Sequence, residues 1–369
     1  MANFSSSVYS ASVAALRRLY YKYSCEEAQV PIFVDAALYE RYNALSGERY
    51  LKAVDRSGNV LVVRPDATFH VLSKTAGLTE PSRIFYTTEL IRYNGSVMQE
   101  VTQTGAEFFG DPSALCDCEV VSLAIESLLE MGLTEIRVDI GHSGYINSLL
   151  SEDESLDPRA HDVINRHIAK KNSIGLADFF SQTSVKAEVA SAAIEICMLF
   201  GGYSEVLSRA KQLCLNEGMA ASLDNLNEIA SLLSKRGHGD GVFLDLGFSN
   251  WMDYYSGMIF KAYAHNASRE VISGGRYDSL AQKLGNIQHA SGFGHDLDIT
   301  LPIAEHTIRQ EAAVKCCAPK GNFEQAALWA DELRKAGWPA EALESESAAH
   351  LRYKEKYYQS TKEFLADWS

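Results

Sequence analysis

Two stretches rich in β-branched and aromatic residues, 84–93 and 101–109, flank the turn dipeptide Asn94-Gly95, and this pairing constrains the fold more than any other feature of the sequence. An antiparallel pair is expected there. A first hairpin precedes it: residues 49–54 and 59–63 surround Asp55-Arg56-Ser57-Gly58, a polar turn with glycine where positive φ is favoured. After a further strand at 136–140, strand text returns at residues 242–248, 258–263 and 271–273, so the sheet draws on segments far apart in the chain. The intervening stretch is helical in character, with Ala, Leu, Ser and Glu, few aromatics, and breaks at Asp157-Pro158 and Gly201-Gly202.

Helical periodicity frames this sheet. Val13, Leu16, Leu19, Tyr20 and Tyr23 recur at helical spacing over residues 12–23, and Pro31 then opens an extended stretch. Asp66 is placed to cap the helix that follows Pro65. Val120, Ala124 and Leu128, with Val121, Ile125 and Leu129, give residues 117–131 one broad apolar face that Gly132 ends. Ile136, Val138 and Ile140 alternate as a strand, and Gly274-Gly275 leads into a short helix over 278–284. Beyond about residue 308 a last unit begins, with a strand over 312–316, a helix over 323–336 stopped by Gly337, and further α/β text. The expected architecture is α+β: a core from residues 1–144 and 240–306 with a mainly antiparallel sheet flanked by helices, a helical insertion at 145–239, and a short C-terminal α/β unit at 307–369.

Composition excludes several function classes. The chain has 34 Lys plus Arg against 48 Asp plus Glu, a formal charge of −14, so most of its surface repels a phosphate backbone. No run approaches the apolar length of a membrane span and no signal-type segment opens the chain, so a cytoplasmic location without membrane contact is expected. Seven cysteines suit a reducing compartment, and neither Cys116-x-Cys118 nor Cys316-Cys317 has a second pair at zinc-ligand spacing. No metal is expected.

Strand periodicity puts Gln103, Gly105 and Glu107 on one face. Two readings of that pattern compete. A small polar ligand could sit over the glycine, or Gly105 only accommodates a neighbouring backbone while Glu107 faces solvent. Asp253-Tyr254-Tyr255-x-Gly257 and Gly274-Gly275-Arg276-Tyr277-Asp278 are further polar-aromatic islands, and each reads equally as pocket lining or as turn glycines with packed tyrosines.

In order and spacing, these islands resemble the core of class II aminoacyl-tRNA synthetases, specifically the histidyl branch. Arg64-Pro65-Asp66-Ala67-Thr68 resembles the family's R-P-E-x-T segment, and Leu90 to Asn94 looks like its motif 2. Gln103-x-Gly105-x-Glu107-x-x-Gly110 is similar to its Q-x-G-x-E-x-x-G. Asp253-Tyr254-Tyr255 resembles the end of R-G-L-D-Y-Y, and residues 273–280 resemble G-G-R-Y-D-x-L. Residues 292–300 match the position of motif 3. The resemblance covers about 300 residues.

Three departures bear on activity. The arginine that opens the R-G-L-D-Y-Y signature is Asn250 here, the motif 2 acid is Asn94, and the motif 3 arginine is Ile299. Neutral amides and an aliphatic side chain cannot stabilise the charge that develops on a phosphoryl group, so loss of adenylation is expected. The C-terminal unit is shorter than the family's usual anticodon-reading domain and carries three Glu within 341–348, so no tRNA partner is expected.

The sequence resembles throughout the regulatory subunits of ATP phosphoribosyltransferase, and this likeness implies a non-catalytic chain without a cofactor. It implies a hetero-oligomer with the short-form catalytic subunit for the first step of histidine biosynthesis, self-association through the class II core, and histidine as effector. No acidic phosphoribosyl-pyrophosphate loop occurs in the chain. It further implies a histidine pocket in which Glu107 accepts from the imidazole, Asp66 and Thr68 hold the ammonium, Gln103 assists, and Tyr255 and Tyr277 wall the ring. Arg92 and Arg276 are its candidate supports. Losing the arginine at 250 weakens carboxylate capture, and feedback acts either at this pocket or at the partner interface. Two other readings compete: a working histidyl-tRNA synthetase or related amino-acid-activating enzyme, and a ligand-free scaffold or sensing module.

Overall fold

Asp55 closes the first hairpin. Its Oδ1 accepts from the backbone N–H of Ser57 (2.8 Å) and Asn59 (2.9 Å), its Oδ2 accepts from Asn59 Nδ2 (2.8 Å), and Gly58 takes φ +85°. The computed structural model describes the chain except residues 1–5, 41–49, 76–79, 95–96, 249–254, 286, 305–313, 320–322, 337, 339, 346–347, 354 and 369. Within it, residues 1–308 form one unit and 309–369 a second.

The first unit carries twelve described strands. β1 is Glu26–Glu27, β2 Phe33–Asp35, β3 Lys52–Val54, β4 Val60–Val63, β5 Ser82–Asn94 and β6 Val97–Phe109. β7 is Arg137–His142, β8 Phe200–Gly202, β9 Val242–Asp245, β10 Met258–Tyr263, β11 Ile272–Arg276 and β12 Ala290–Asp296. The first hairpin forms a small sheet, β2-β4-β3. The other nine strands run β1-β5-β6-β12-β11-β10-β7-β9-β8, antiparallel except at β1/β5 and β7/β9. β5 and β6 pair over their full length, from Ser82 opposite Phe109 to Asn94 opposite Val97. The Gly95 turn expected between them lies outside the described residues.

Alternation along these strands sorts the side chains. Phe85, Ala106, Phe108, Phe293, Phe260, Val138 and Ile140 join one apolar cluster with the helix Ala114–Glu130, which crosses β6, β10, β11 and β12, and with the helix Ser6–Lys22 packed against it. Ser113 caps the crossing helix by accepting from Cys116 N–H, and Gly132, at φ +74°, follows its end.

Three expectations change, at Gly274-Gly275, at Gly201-Gly202 and at the Asp66 cap. Gly274-Gly275 lies inside β11 instead of following it, because β11 needs small residues between β10 and β12. The break at Gly201-Gly202 is strand β8, which pairs with β9 and forms the end of the large sheet. The six helices between Ser143 and Lys235 bury Leu149, Ile164, Ile196 and Leu226 in the same cluster as the sheet, so they share its core. Asp66 also caps differently from the expected pattern: the N-cap of the helix Thr68–Lys74 is Ala67, and Asp66, one residue earlier, accepts from Phe69 N–H at 3.1 Å.

In the second unit, β13 (Val314–Pro319), β14 (Ala340–Ser345), β15 (His350–Tyr353) and β16 (Lys356–Tyr358) form a sheet in the order β14-β13-β15-β16. β13 and β14 are parallel, and the helix Phe323–Lys335 between them supplies the crossover that parallel pairing requires. Trp338 meets Tyr353 and Phe364 edge-on within its core. Residues 312–313 of the expected strand and the stop at Gly337 lie outside the described residues.

Candidate functional site

On the face of the large sheet opposite the crossing helix, a second apolar cluster surrounds a group of polar side chains. β6 presents Gln103, Gly105 and Glu107 to this face, and the register sets Glu107 opposite Gly292 and Gly105 opposite Gly294 on β12. A Cβ at 292 would fall on Glu107 Oε2, and one at 294 on Gln103 Nε2, so the two glycines are the room that these side chains occupy. Glycine at 105 serves another group. Tyr86 Oη lies 2.6 Å from where a Cβ there would stand, so the space over Gly105 holds the protein's own hydroxyl and not a vacancy for ligand.

Glu107 is buried and doubly held. Thr68 Oγ1 donates to its Oε1 at 2.7 Å, and the Tyr277 hydroxyl donates to its Oε2. Thr68 reaches it from the first turn of its helix and Tyr277 from the residue after β11. Burial pushes the Glu107 carboxyl up to about 7; the Tyr277 and Thr68 hydrogen bonds oppose the shift, and the charge of Asp66 adds to it. Asp66 is itself pushed up to about 6 by burial, against the Phe69 N–H and the Arg92 charge. Two carboxyls with raised affinity for protons therefore share one site, an arrangement that favours a cationic or proton-donating ligand.

Arg92 donates from Nε to Pro65 O (3.0 Å) and from Nη2 to Gln103 Oε1 (2.8 Å), and Gln103 Nε2 donates to Tyr86 Oη (2.9 Å). This chain of contacts orients the Gln103 amide. Tyr255 packs against the apolar cluster that includes Tyr86 and Tyr277, with its ring 3.0 Å from where a Cβ on Gly275 would stand. The structure thus brings together Asp66, Thr68, Arg92, Gln103, Glu107, Tyr255 and Tyr277.

Arg276 is not among them. It turns to the opposite face, where Nε and Nη2 grip Asp117 (3.1 and 2.9 Å) and the remaining N–H groups reach Asp111 O, Ser113 O and Asp278. All its donors are engaged in tying β11 to the start of the crossing helix.

Ile299 lies in the helix Leu297–Ala304, half-buried against the main apolar cluster. Asn94 closes β5 opposite Val97. Asn250, Asp253 and Tyr254 lie outside the described residues. The sequence reading missed Tyr86, whose role depends on its cross-strand partner Gly105, and it missed strand β12. Among the described residues, no helix is long and apolar enough to cross a membrane, and no cluster of three His, Cys, Asp or Glu could hold a metal ion.

A family model described as histidyl-tRNA synthetase matches residues 8–299. An ATP phosphoribosyltransferase regulatory subunit from Oceanobacillus iheyensis is 31% identical over 298 residues, covering 79% of this chain and 73% of the relative. Among solved structures, an ATP phosphoribosyltransferase regulatory subunit/histidyl-tRNA synthetase from Bacillus halodurans superposes with a TM-score of 0.79 at 24% identity, over 93% of this chain and 91% of its own. A chain of the ATP phosphoribosyl transferase complex from Thermotoga maritima gives 0.61 at 23% identity, over 78% and 96%. These structural likenesses establish the fold.

Proposed function

From a chain that belongs to the histidyl-tRNA synthetase family, and within it to the ATP phosphoribosyltransferase regulatory subunits, we infer a non-catalytic partner of the short-form catalytic subunit that senses histidine. The observation that carries this reading is the buried Glu107, held by Thr68 and Tyr277 beside Asp66. Imidazole offers an N–H that suits a carboxylate acceptor, and the α-ammonium suits Asp66. Meanwhile Ile299, at the position of the motif 3 arginine, packs against apolar side chains. Such a site recognises an amino acid without the charges that transfer a phosphoryl group. Self-association through the class II core belongs to the same reading, as does coupling of histidine occupancy to the partner's activity.

The test has two arms. Mixed with a short-form catalytic subunit, the chain should co-elute on gel filtration at micromolar concentration and raise phosphoribosyl transfer; alone it should be inert with ATP and phosphoribosyl pyrophosphate. It should also show no histidine-dependent ATP–pyrophosphate exchange. A clear exchange rate, or no complex together with unchanged transfer, would sink the reading.

A further inference from the structure

We propose that Tyr39 is a ligand-recognition residue of this pocket: its hydroxyl shares the ammonium of the bound amino acid with Asp66. The inference rests on the pocket reading above and adds a residue that no sequence motif singled out. Tyr39 lies in the short helix Ala36–Glu40, has no exposed surface, and stacks on Phe69 with ring centroids 5.0 Å apart and planes at 22°. The backbone N–H of Phe69 is the group that donates to Asp66 Oδ1. The stack therefore sets Tyr39 beside the carboxylate, whose charge acts on its hydroxyl.

That hydroxyl is buried and, among the described residues, has no hydrogen-bond partner. Only two other side-chain atoms among the described residues share this condition, Ser12 Oγ and Asn225 Oδ1, and both belong to helices away from the pocket. A buried orphan hydroxyl is costly and rare, and it asks for a partner that arrives later. Asp66 has matching capacity: Oδ1 takes the Phe69 N–H, and among the described residues Oδ2 takes no hydrogen bond. Thr68 Oγ1, having donated to Glu107, keeps its lone pairs. An ammonium has three N–H donors, and Asp66 Oδ2, Tyr39 Oη and Thr68 Oγ1 are three acceptors for them.

Tyr39→Phe removes only the oxygen, so it separates this role from packing. Histidine and imidazolepropionate, which lacks the ammonium, are titrated calorimetrically into the full wild-type and Y39F chains, the weaker ligand by displacement of histidine. Thermal unfolding of both empty chains is recorded alongside. The expected result is a histidine affinity about 5- to 30-fold lower in Y39F, an imidazolepropionate affinity unchanged, and an empty variant at least as heat-stable as wild type. Equal histidine affinities in the two chains, or equal losses for both ligands, would overturn the assignment of Tyr39. Absence of histidine binding by the wild-type chain would overturn the pocket reading itself, and this inference with it.

Discussion

The carboxylate of Glu107 fills the space that a side chain at position 292 would need. The two residues sit opposite each other on β6 and β12, so the acid's position is set by a glycine 185 places away in sequence. A Gly292→Ala variant would force Glu107 aside and crowd the Ala106 carbonyl. We expect about 1–3 kcal/mol lower stability in denaturant unfolding, and loss of histidine binding in calorimetry even where the variant remains folded.

Glu107→Gln should separate stability from binding. The folded-state affinity of Glu107 for protons is raised, so the stability it contributes is complete below the ordinary carboxyl range near 4.5 and is lost as pH rises through about 7. At pH 8 the empty wild-type chain therefore holds an unfavourable buried charge. The variant should be more stable there by about 1–3 kcal/mol, with the gain fading toward pH 5. Its histidine affinity should fall on the order of 10- to 100-fold. Near pH 7, histidine binding to wild type should release protons, read as a dependence of the binding heat on the buffer's ionisation enthalpy. The variant should lose most of that dependence.

His295 predicts the opposite pH trend. It is fully buried, between Ser127 Oγ (3.4 Å) and Thr300 Oγ1 (3.0 Å), and burial pushes it down to about 3. Its neutral form supports the fold above pH 6.5, and that support is lost as pH falls toward 3. Unfolding midpoints should drop between pH 6.5 and 4, and His295→Asn, though destabilised at neutral pH, should show a shallower drop.

Asp117→Ala tests the buried pair on the other face. Removing the carboxylate leaves the Arg276 guanidinium buried with its fork unmatched, at a cost of about 3–5 kcal/mol in chemical unfolding. Because Tyr277 follows Arg276 directly, the same variant should weaken histidine binding more than a surface substitution of equal charge, such as Asp162→Ala.

The helices and most strands were legible because their apolar periodicity is strong: residues 117–131 and 258–263 show it plainly. β12 was not, since its Ala-Ser-Gly-Phe-Gly-His-Asp sequence carries the glycines that Glu107 and Gln103 demand, and glycine erases strand propensity. Glu107, Thr68 and Tyr277 could be named from the sequence through family resemblance, whereas their hydrogen bonds needed the register. Arg276 illustrates a rule within reach of the sequence. Neighbours at a strand end point to opposite faces, so a Tyr277 turned to Glu107 sends Arg276 away from it. Tyr86 and Tyr39 depend on partners distant in sequence, Gly105 and Asp66, and no local pattern marks them.

The order of strands in the large sheet also sets a timetable. β6 is complete at Phe109, but its second neighbour, β12, ends only at Asp296. At ribosomal rates of about 5–20 residues per second, the free edge of β6 waits about 10–40 s for its partner. During that wait the outer edge of β6 over Gln103–Phe109 carries unpaired backbone groups in the growing polypeptide, an open template for pairing with other chains. The glycines of β12 that make room for Glu107 and Gln103 are thus also the last pieces needed to close that edge, and a nascent chain stalled before them keeps that template open.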